Sequence, residues 1–255
     1  MPYPEKFVAL RSRAIIFVRR LSSTSSRNPF LFLSGHRRIS LVAVLWCVFM
    51  GPLPSTHGTP TGLNNIPTAD VAPERTLVFQ TFGFLADGTR PDWWGGFKYG
   101  AWKNLEVGFD GQLNAESSSD AVLAGQVKYR IPLWERGAVG LGIANIGDKD
   151  RNGEIAYYAV LTHDLKVLRA HIGGSFQKDD EGVFGGLDKT LDLFDRELTL
   201  RTDIRQINER DDLLTSVGFI YDLGMNVLLE TWGSFPSDSK DEEALTIKLN
   251  YVVSF

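Results

Sequence analysis

The stretch Ala244-Leu-Thr-Ile-Lys-Leu-Asn-Tyr-Val-Val-Ser-Phe255 decides how the whole chain is interpreted. Apolar or aromatic residues occupy every second position from Leu245 to Phe255, and polar residues such as Lys248 and Asn250 occupy most positions between them. Successive side chains of a β-strand point to opposite faces. The stretch therefore predicts a strand with one apolar face and one polar face.

Eleven further runs of β type precede this strand, with turn residues between them. The predicted strands cover residues 75–85, 93–101, 105–114, 121–131, 138–147, 154–164, 167–177, 182–190, 196–207, 213–222, 226–235 and 244–255. An even number of strands is what a single-chain bacterial barrel requires. Most of the runs have about the length that crosses a bilayer when the strand is tilted.

Two kinds of connection alternate along these runs. The odd-numbered connections are polar, as in residues 86–92, whereas the even-numbered ones carry apolar residues and are often tight, as in residues 102–104. In an up-and-down barrel every second turn lies on the same rim. The alternation therefore favours a barrel over a sandwich.

The polar faces of the runs predict the barrel interior. In the ninth run, Leu198 and Leu200 lie on the face opposite Arg201 and Asp203. A charge that faces lipid near the bilayer centre is strongly destabilising, so the polar faces are expected to line the lumen. The candidate lumen-lining residues are Lys98, Glu106, Asp110, Lys128, Arg130, Arg169, His171, Glu197, Arg201, Asp203, Arg205, Glu230 and Lys248.

A strand that ends in Phe after alternating apolar residues resembles the assembly signal of Gram-negative outer-membrane β-barrels. The resemblance covers about residues 75–255, and its specific motif is the terminal strand. It implies an all-β fold, an antiparallel up-and-down transmembrane β-barrel of about twelve strands. It also implies insertion by the barrel-assembly machinery and contact with outer-membrane lipid and lipopolysaccharide. The residues that the machinery would read are Ile247, Leu249, Tyr251, Val253 and Phe255. With both termini in the periplasm, the acidic loops would face outside.

A targeting region is predicted before the barrel. The basic residues 36–38, the apolar run 41–50 and the small residues near 56–58 occur in the order of a secretory signal peptide. We expect residues 1–58 to be the targeting region, with a signal-peptide core at about 36–58, followed by an extended lead-in at 59–74 and the barrel at 75–255. Residues 1–35 fit either an over-extended translation start or an Arg- and Ser-rich transit peptide. The expected location is the bacterial outer membrane, reached through a cleaved signal peptide.

Composition excludes several classes of function. A mean hydropathy of −0.10 excludes a polytopic helical membrane protein. The net charge of −4, without a concentrated basic surface, argues against a nucleic-acid partner. The single cysteine, Cys47, lies in the segment expected to be removed. No phosphate-binding glycine loop or metal-ligand spacing is present, so neither a cofactor nor a metal is expected.

Three functions fit a barrel of this kind. The first is a narrow channel or porin-like protein for small polar solutes, in which the basic lumen residues attract anions and the acidic lumen residues oppose them. The second is a non-conducting structural or surface-interaction barrel, in which opposite charges pair and fill the lumen. The third and most remote is an outer-membrane enzyme. His171 and Ser175 share a strand face but stand roughly 13 Å apart in an extended strand, so they do not form a base and nucleophile pair. No catalytic residue is therefore expected.

Overall fold

The computed structural model describes residues 61–86, 91–115, 122–178, 180–207, 212–238 and 242–255. The predicted targeting region, residues 1–58, lies outside these ranges. Within them, no helix has both the length and the apolar character needed to cross a membrane.

The regular elements of the described residues are twelve strands and one helical turn. The bounds of the strands lie within a few residues of the predicted bounds. The elements are β1 Thr76–Ala86, β2 Asp92–Trp102, β3 Leu105–Gln112, β4 Leu123–Trp134, β5 Gly137–Ile146, α1 Lys149–Asn152, β6 Ala156–Asp164, β7 Arg169–Gln177, β8 Asp180–Leu193, β9 Arg196–Ile207, β10 Asp212–Gly224, β11 Val227–Pro236 and β12 Ala244–Ser254.

The strands close into a barrel. Each strand pairs antiparallel with its neighbours in sequence, and β1 pairs with β12 from Thr76 opposite Ser254 to Ala86 opposite Ala244. A closed barrel leaves no strand edge with unpaired backbone groups, which lipid would not tolerate. The predicted fold, an antiparallel barrel of twelve strands, is confirmed. We call the end where β1 begins and β12 ends the terminal rim, and the opposite end the loop rim.

Tight turns join the strands at the terminal rim. Phe194 and Asp195 between β8 and β9 have φ values of 52° and 61°, and Met225 and Asn226 between β10 and β11 have values of 52° and 64°. Two successive positive φ angles are typical of the two-residue hairpin turns that match strand twist. Phe194 and, on the opposite side of the barrel, Trp102 lie at this rim and are largely exposed, as expected for aromatic residues at a membrane interface.

Apolar side chains cover the outside of the barrel. Phe79, Ile172, Val183, Val217 and Leu249, from five strands, are all exposed large hydrophobic residues. A continuous apolar surface around a closed sheet is suited to lipid rather than water. The barrel therefore presents a membrane-facing exterior.

The outward orientation of β7 leads to a first prediction. Ile172, near the middle of the strand, is 66% exposed. We expect Ile172→Lys to lower the free energy of unfolding in lipid vesicles by about 2–4 kcal/mol, because the ammonium would enter the hydrocarbon. Urea titration of the reconstituted protein measures this. The matched control is Gln177→Lys, on the lumen face of the same strand, with an expected change below about 1 kcal/mol. An equal loss in both variants would contradict the assigned outer face.

Candidate functional site in the barrel lumen

The chain before β1 folds back into the barrel and fills part of the lumen. We call residues Thr61–Pro73 the luminal plug. Its tip is a tight turn in which the Leu63 N–H donates to the Ile66 carbonyl at 2.9 Å, next to a bridge between Gly62 and Pro67. The buried residues of the plug are Thr61, Leu63, Asn64, Ile66, Thr68, Ala69 and Ala72. The sequence predicted only an extended lead-in at 59–74, so the luminal position is a finding of the structure.

Glu106 on β3 and Lys128 on β4 hold the two limbs of the plug together. The Glu106 carboxylate, which is 1% exposed, accepts from the Thr61 hydroxyl at 2.6 Å and from the Ala72 N–H at 2.7 Å. The Lys128 ammonium donates to the Thr61 carbonyl at 2.7 Å and to the Asp70 carbonyl at 3.0 Å. Each wall residue thus binds a residue from the start and one from the end of the plug.

A polar series on the wall runs across β7, β8 and β6. Arg169 forms a two-point ion pair with Asp188, with Nε–Oδ1 and Nη2–Oδ2 distances of 2.9 Å and 2.7 Å. The Asp188 carboxylate also contacts His171 Nε2 at 3.1 Å, and His171 Nδ1 lies 2.9 Å from the Thr162 hydroxyl. The paired carboxylate and guanidinium offset the unfavourable burial of their charges.

The plug closes this series into a ring. The Ala69 N–H donates to the Thr162 hydroxyl oxygen at 2.9 Å, and Arg169 Nη1 donates to the Asp70 carboxylate at 2.9 Å. Two adjacent plug residues are therefore bound at both ends of one continuous hydrogen-bonded network. The network fixes the position of the plug against the wall.

The order Thr162–His171–Asp188 resembles the hydroxyl–imidazole–carboxylate series of hydrolases. Here, however, the Thr162 oxygen already accepts from the Ala69 N–H, and all three wall side chains are buried beneath the plug. A substrate carbonyl has no access to that oxygen. The series acts as an anchor for the plug.

Asp203 on β9 binds the tip of the plug. Its Oδ2 atom accepts from the backbone N–H groups of Asn64 at 2.8 Å and Asn65 at 3.2 Å. The Asn65 side-chain amide donates to the hydroxyls of Ser216 at 2.5 Å and Ser234 at 2.9 Å. The tip is therefore bound by three neighbouring strands, β9, β10 and β11.

Two apolar side chains of the tip fill a small apolar patch on the wall. Leu63 and Ile66 form a buried cluster with Val160 on β6 and Phe184 on β8. Gly186 provides room for them, because a Cβ atom there would lie 2.4 Å from the Leu63 Cδ1 atom. The patch accounts for the apolar residues Val160 and Phe184 on the lumen face.

Two more glycines let the plug approach the wall closely. A Cβ at Gly140 would lie 2.9 Å from the Ala69 Cα, and one at Gly100 would lie 1.9 Å from the Pro73 carbonyl oxygen. Larger residues at these positions would collide with backbone atoms of the plug. The wall is therefore shaped to receive the segment.

A second buried ion-pair network lies on β9, β11 and β12. The Glu230 carboxylate accepts from Arg201 Nη2 at 2.9 Å and from the Asn250 amide at 2.6 Å, and Lys248 Nζ lies 3.5 Å away. The Glu230 and Arg201 side chains are 3% and 1% exposed. This network pairs three of the charged residues that the sequence predicted for the lumen, namely Arg201, Glu230 and Lys248.

The polar contacts of the plug tip are incomplete. Within the described ranges, Arg201 Nε, Asp203 Oδ1 and both polar side-chain atoms of Asn64 are buried without a hydrogen-bond partner. Each buried unpaired group of this kind is destabilising by about 1–3 kcal/mol. These unpaired groups therefore reduce the stability that the buried tip gains from its contacts with the wall.

A cavity of about 360 Å³ lies between the plug tip and the loop rim. The charged side chains that line it are four basic residues and one acidic residue, namely Lys98, Lys128, Arg205, Lys248 and Glu230. Uncharged polar side chains complete its wall, among them Gln126, Tyr158, Ser175, Gln177 and Gln206. The cavity has the size and polarity of a site for a small hydrophilic solute.

The structure distributes the candidate lumen residues between the plug, the cavity and the wall. Those that contact the plug are Lys98, Glu106, Lys128, Arg169, Arg201 and Asp203. Those that line the cavity are Lys98, Lys128, Arg205, Glu230 and Lys248. Asp110 accepts a hydrogen bond from the Gln80 amide, and His171 binds Asp188. Arg130 and Glu197 lie two and four residues from Lys128 and Arg201 on the same strand faces, nearer the terminal rim.

Sequence reasoning missed the plug residues and several of their wall partners, including Asp188, Thr162 and Asn250. The sequence could have predicted Asp188 as a lumen-lining residue, because Asp188 lies within a predicted strand on the same face of β8 as Gly186. Among the described residues, no group of three or more His, Cys, Asp or Glu side chains is arranged to hold a metal ion.

Comparison with known proteins identifies the fold. No protein-family model matches the chain, and no curated protein matches it. Among solved structures, a KdgM porin matches with a TM-score of 0.55 and 11% identity, over 70% of this chain and 99% of the porin. The KdgM porin in complex with disordered oligogalacturonate matches with a TM-score of 0.56 and 12% identity, over 70% of this chain and 99% of the porin. A NanC porin matches with a TM-score of 0.50 and 11% identity, over 69% of this chain and 99% of the porin. The predicted resemblance to outer-membrane barrels is confirmed at the level of the fold.

Proposed function

We propose that this chain is an outer-membrane channel for small polar solutes, with a preference for anions. The observation that carries the proposal is the cavity, because basic side chains outnumber acidic ones in its lining by four to one. A confined site with an excess of one charge raises the local concentration of ions of opposite charge. Rings of basic side chains select anions in pores by the same effect.

A small carboxylated sugar suits the cavity. The lysine ammonium groups and the Arg205 guanidinium pair with a carboxylate, and the uncharged polar residues Gln126, Ser175 and Gln177 hydrogen-bond hydroxyl groups. One porin of the same fold was solved in complex with oligogalacturonate. That ligand has both groups on each ring, so the chemistry of the cavity and of the ligand agree.

Anion preference is tested by the reversal potential of the purified protein in planar bilayers under a salt gradient. We expect the wild type to select anions and Arg205→Gln to lower the anion-to-cation permeability ratio about two- to fivefold, since one cavity charge is lost. Arg136→Gln is the control, because Arg136 lies in the turn after β4 at the terminal rim. A cation-selective wild type, or equal ratios in both variants, would contradict the proposal.

A second function has its own observation in support. The plug and the buried ion pairs of Arg169 and Arg201 fill much of the lumen, which favours a non-conducting barrel with a structural or surface role. The absence of conductance steps from folded protein, with and without the plug, would select this function.

Assembly and location follow from the same proposal. Ile247, Leu249 and Tyr251 are exposed on the outer face of β12, and Phe255 is exposed just beyond its end. Exposed apolar residues on the last strand are available to the barrel-assembly machinery before the strand meets lipid and lipopolysaccharide. The targeting region at residues 1–58 would deliver the chain to that machinery.

A further inference from the structure

We propose that the luminal plug is a displaceable gate, and that an anionic solute releases it by competing for Lys98 and Lys128. The inference rests on the proposed channel function and adds to it how passage is controlled.

The plug lies between the cavity and the terminal rim. Its tip forms part of the cavity wall, as residues 61–67 line that space. Its other end joins β1 at the terminal rim, where β1 begins at Thr76. A solute that enters from the loop rim therefore meets the plug before it can leave at the opposite end.

The base of the plug is joined to the barrel by backbone hydrogen bonds, and the rest of the plug is held by contacts with side chains of the wall. Arg75, the second residue after the plug, donates its N–H to the Gly100 carbonyl at 2.8 Å, and its carbonyl accepts from the Phe255 N–H at 3.0 Å. Beyond this point, in the described part of the chain, no strand ladder joins the plug to the wall. Its contacts are hydrogen bonds with wall side chains, the ion pair of Asp70 with Arg169 and the apolar cluster of Leu63 and Ile66. The polar contacts of the tip leave the Asn64 side chain and Asp203 Oδ1 without partners. The plug can therefore detach while its base stays fixed.

The same two lysines bind the plug and line the cavity. Lys98 Nζ donates to the Thr61 hydroxyl at 3.2 Å, and Lys128 Nζ donates to the Thr61 carbonyl at 2.7 Å. A carboxylate in the cavity forms stronger bonds with these ammonium groups than a hydroxyl or a neutral carbonyl does. A solute carboxylate that draws either ammonium group away from Thr61 removes a plug contact, and it thereby shifts the population toward the displaced plug.

The wall stays paired when the plug leaves. Arg169 keeps its two-point pair with Asp188, and Arg201 keeps its pair with Glu230. Both pairs join strands of the barrel to each other. Release of the plug therefore breaks plug contacts without breaking these ion pairs, and the barrel remains closed.

A disulfide that locks the plug to the wall tests the gate. The variant carries Ala69→Cys and Thr162→Cys in a Cys47→Ser background. The Ala69 nitrogen lies 2.9 Å from the Thr162 hydroxyl oxygen. This distance places the two Cα atoms within the range that a disulfide bridges. Thr162→Cys alone is the matched control. Oxidation must remove two titratable thiols, and failure to form the bond would contradict the position of the plug.

Single-channel recording in planar bilayers gives the result. We expect the oxidised pair variant to be closed, with at least about tenfold less open time than after reduction, while the control is insensitive to reductant. Sodium gluconate, a hydroxylated carboxylate, should raise the open time of the reduced variant severalfold, whereas uncharged sorbitol should not.

The outcomes separate the gate from the channel. Equal conductance before and after reduction would overturn the gate and leave the channel intact. A reduced variant that opens without any response to gluconate would overturn the competition for Lys98 and Lys128. Silence of folded protein in both redox states would remove the channel function, and the gate with it.

Discussion

Deletion of Thr61–Asp70 is expected to produce a steadily open channel. The plug residues occupy the lumen between the cavity and the terminal rim, and the wall that remains carries mostly polar and charged side chains. A twelve-stranded barrel is wider than the eight-stranded barrels whose interior side chains alone fill the lumen. We expect the mean current through the deletion variant to exceed that of the wild type by about tenfold or more.

The measurement is single-channel recording in planar bilayers at matched protein amounts. The deletion ends before Thr76, so the pairing of β1 with β12 is untouched, and heat-modifiable gel migration reports that the barrel has formed. Leu63→Met is the control, since it keeps an apolar side chain of similar volume in the patch with Phe184 and is expected to behave as the wild type. A folded deletion variant with unchanged current would show that the plug does not obstruct passage.

The barrel was predictable because its signal repeats. A strand with lipid on one side and a polar lumen on the other must alternate with a period of two, and each of the twelve strands carries that constraint in its own residues. The alternating connections add a second, independent pattern. The pairing of β1 with β12 then follows from the need to close the sheet in lipid.

The plug was not predictable in this way because it has no period. Thr61–Pro73 is a turn and two irregular limbs, and its position depends on partners such as Glu106 and Asp203 that are 34 and 139 residues away in sequence. The signal that exists is indirect. Gly140 and Gly186 lie on polar strand faces, where a side chain would otherwise fill the lumen, and both turn out to contact the plug.

The charges of the lumen were predictable as a set but not as pairs. The strand face on which a charged residue lies follows from its odd or even position along the strand. The residue with which it pairs depends on strand register and on the length of the side chain. Arg201 and Asp203 share a strand face and suggest a pair in sequence, yet Arg201 binds Glu230 on β11 and Asp203 binds the plug. The function of the lumen depends on these pairings, so it required the structure.

Glu230→Gln is expected to be the most destabilising single substitution in the lumen wall. Glu230 is the shared counter-ion of Arg201 and Lys248, and both the carboxylate and the guanidinium are almost completely buried. Glutamine keeps the shape and the hydrogen bond from Asn250 but leaves two cations without a buried counter-charge. Removal of one partner from a buried ion pair lowers the free energy of unfolding by about 3–5 kcal/mol.

The matched control for this substitution is Asp222→Asn. Asp222 pairs with Arg196 at 3.9 Å near the terminal rim, where the two side chains are 35% and 46% exposed. An exposed pair of this kind contributes about 0–1 kcal/mol, so urea titration in lipid vesicles should separate the two variants clearly. Similar losses of unfolding free energy in both variants would mean that water reaches Glu230.

A double variant decides whether the loss comes from the uncompensated charge. Arg201→Met with Glu230→Gln removes the guanidinium along with the carboxylate, and an apolar side chain of similar length then contacts Trp232, which the Arg201 side chain faces at 5.8 Å. If the buried charge is the cause, the double variant is more stable than Glu230→Gln alone, and the coupling energy is about 1–3 kcal/mol. Additive losses would instead assign the effect to packing, and the ion pair would then be only one of several contacts that hold β9 and β11 together.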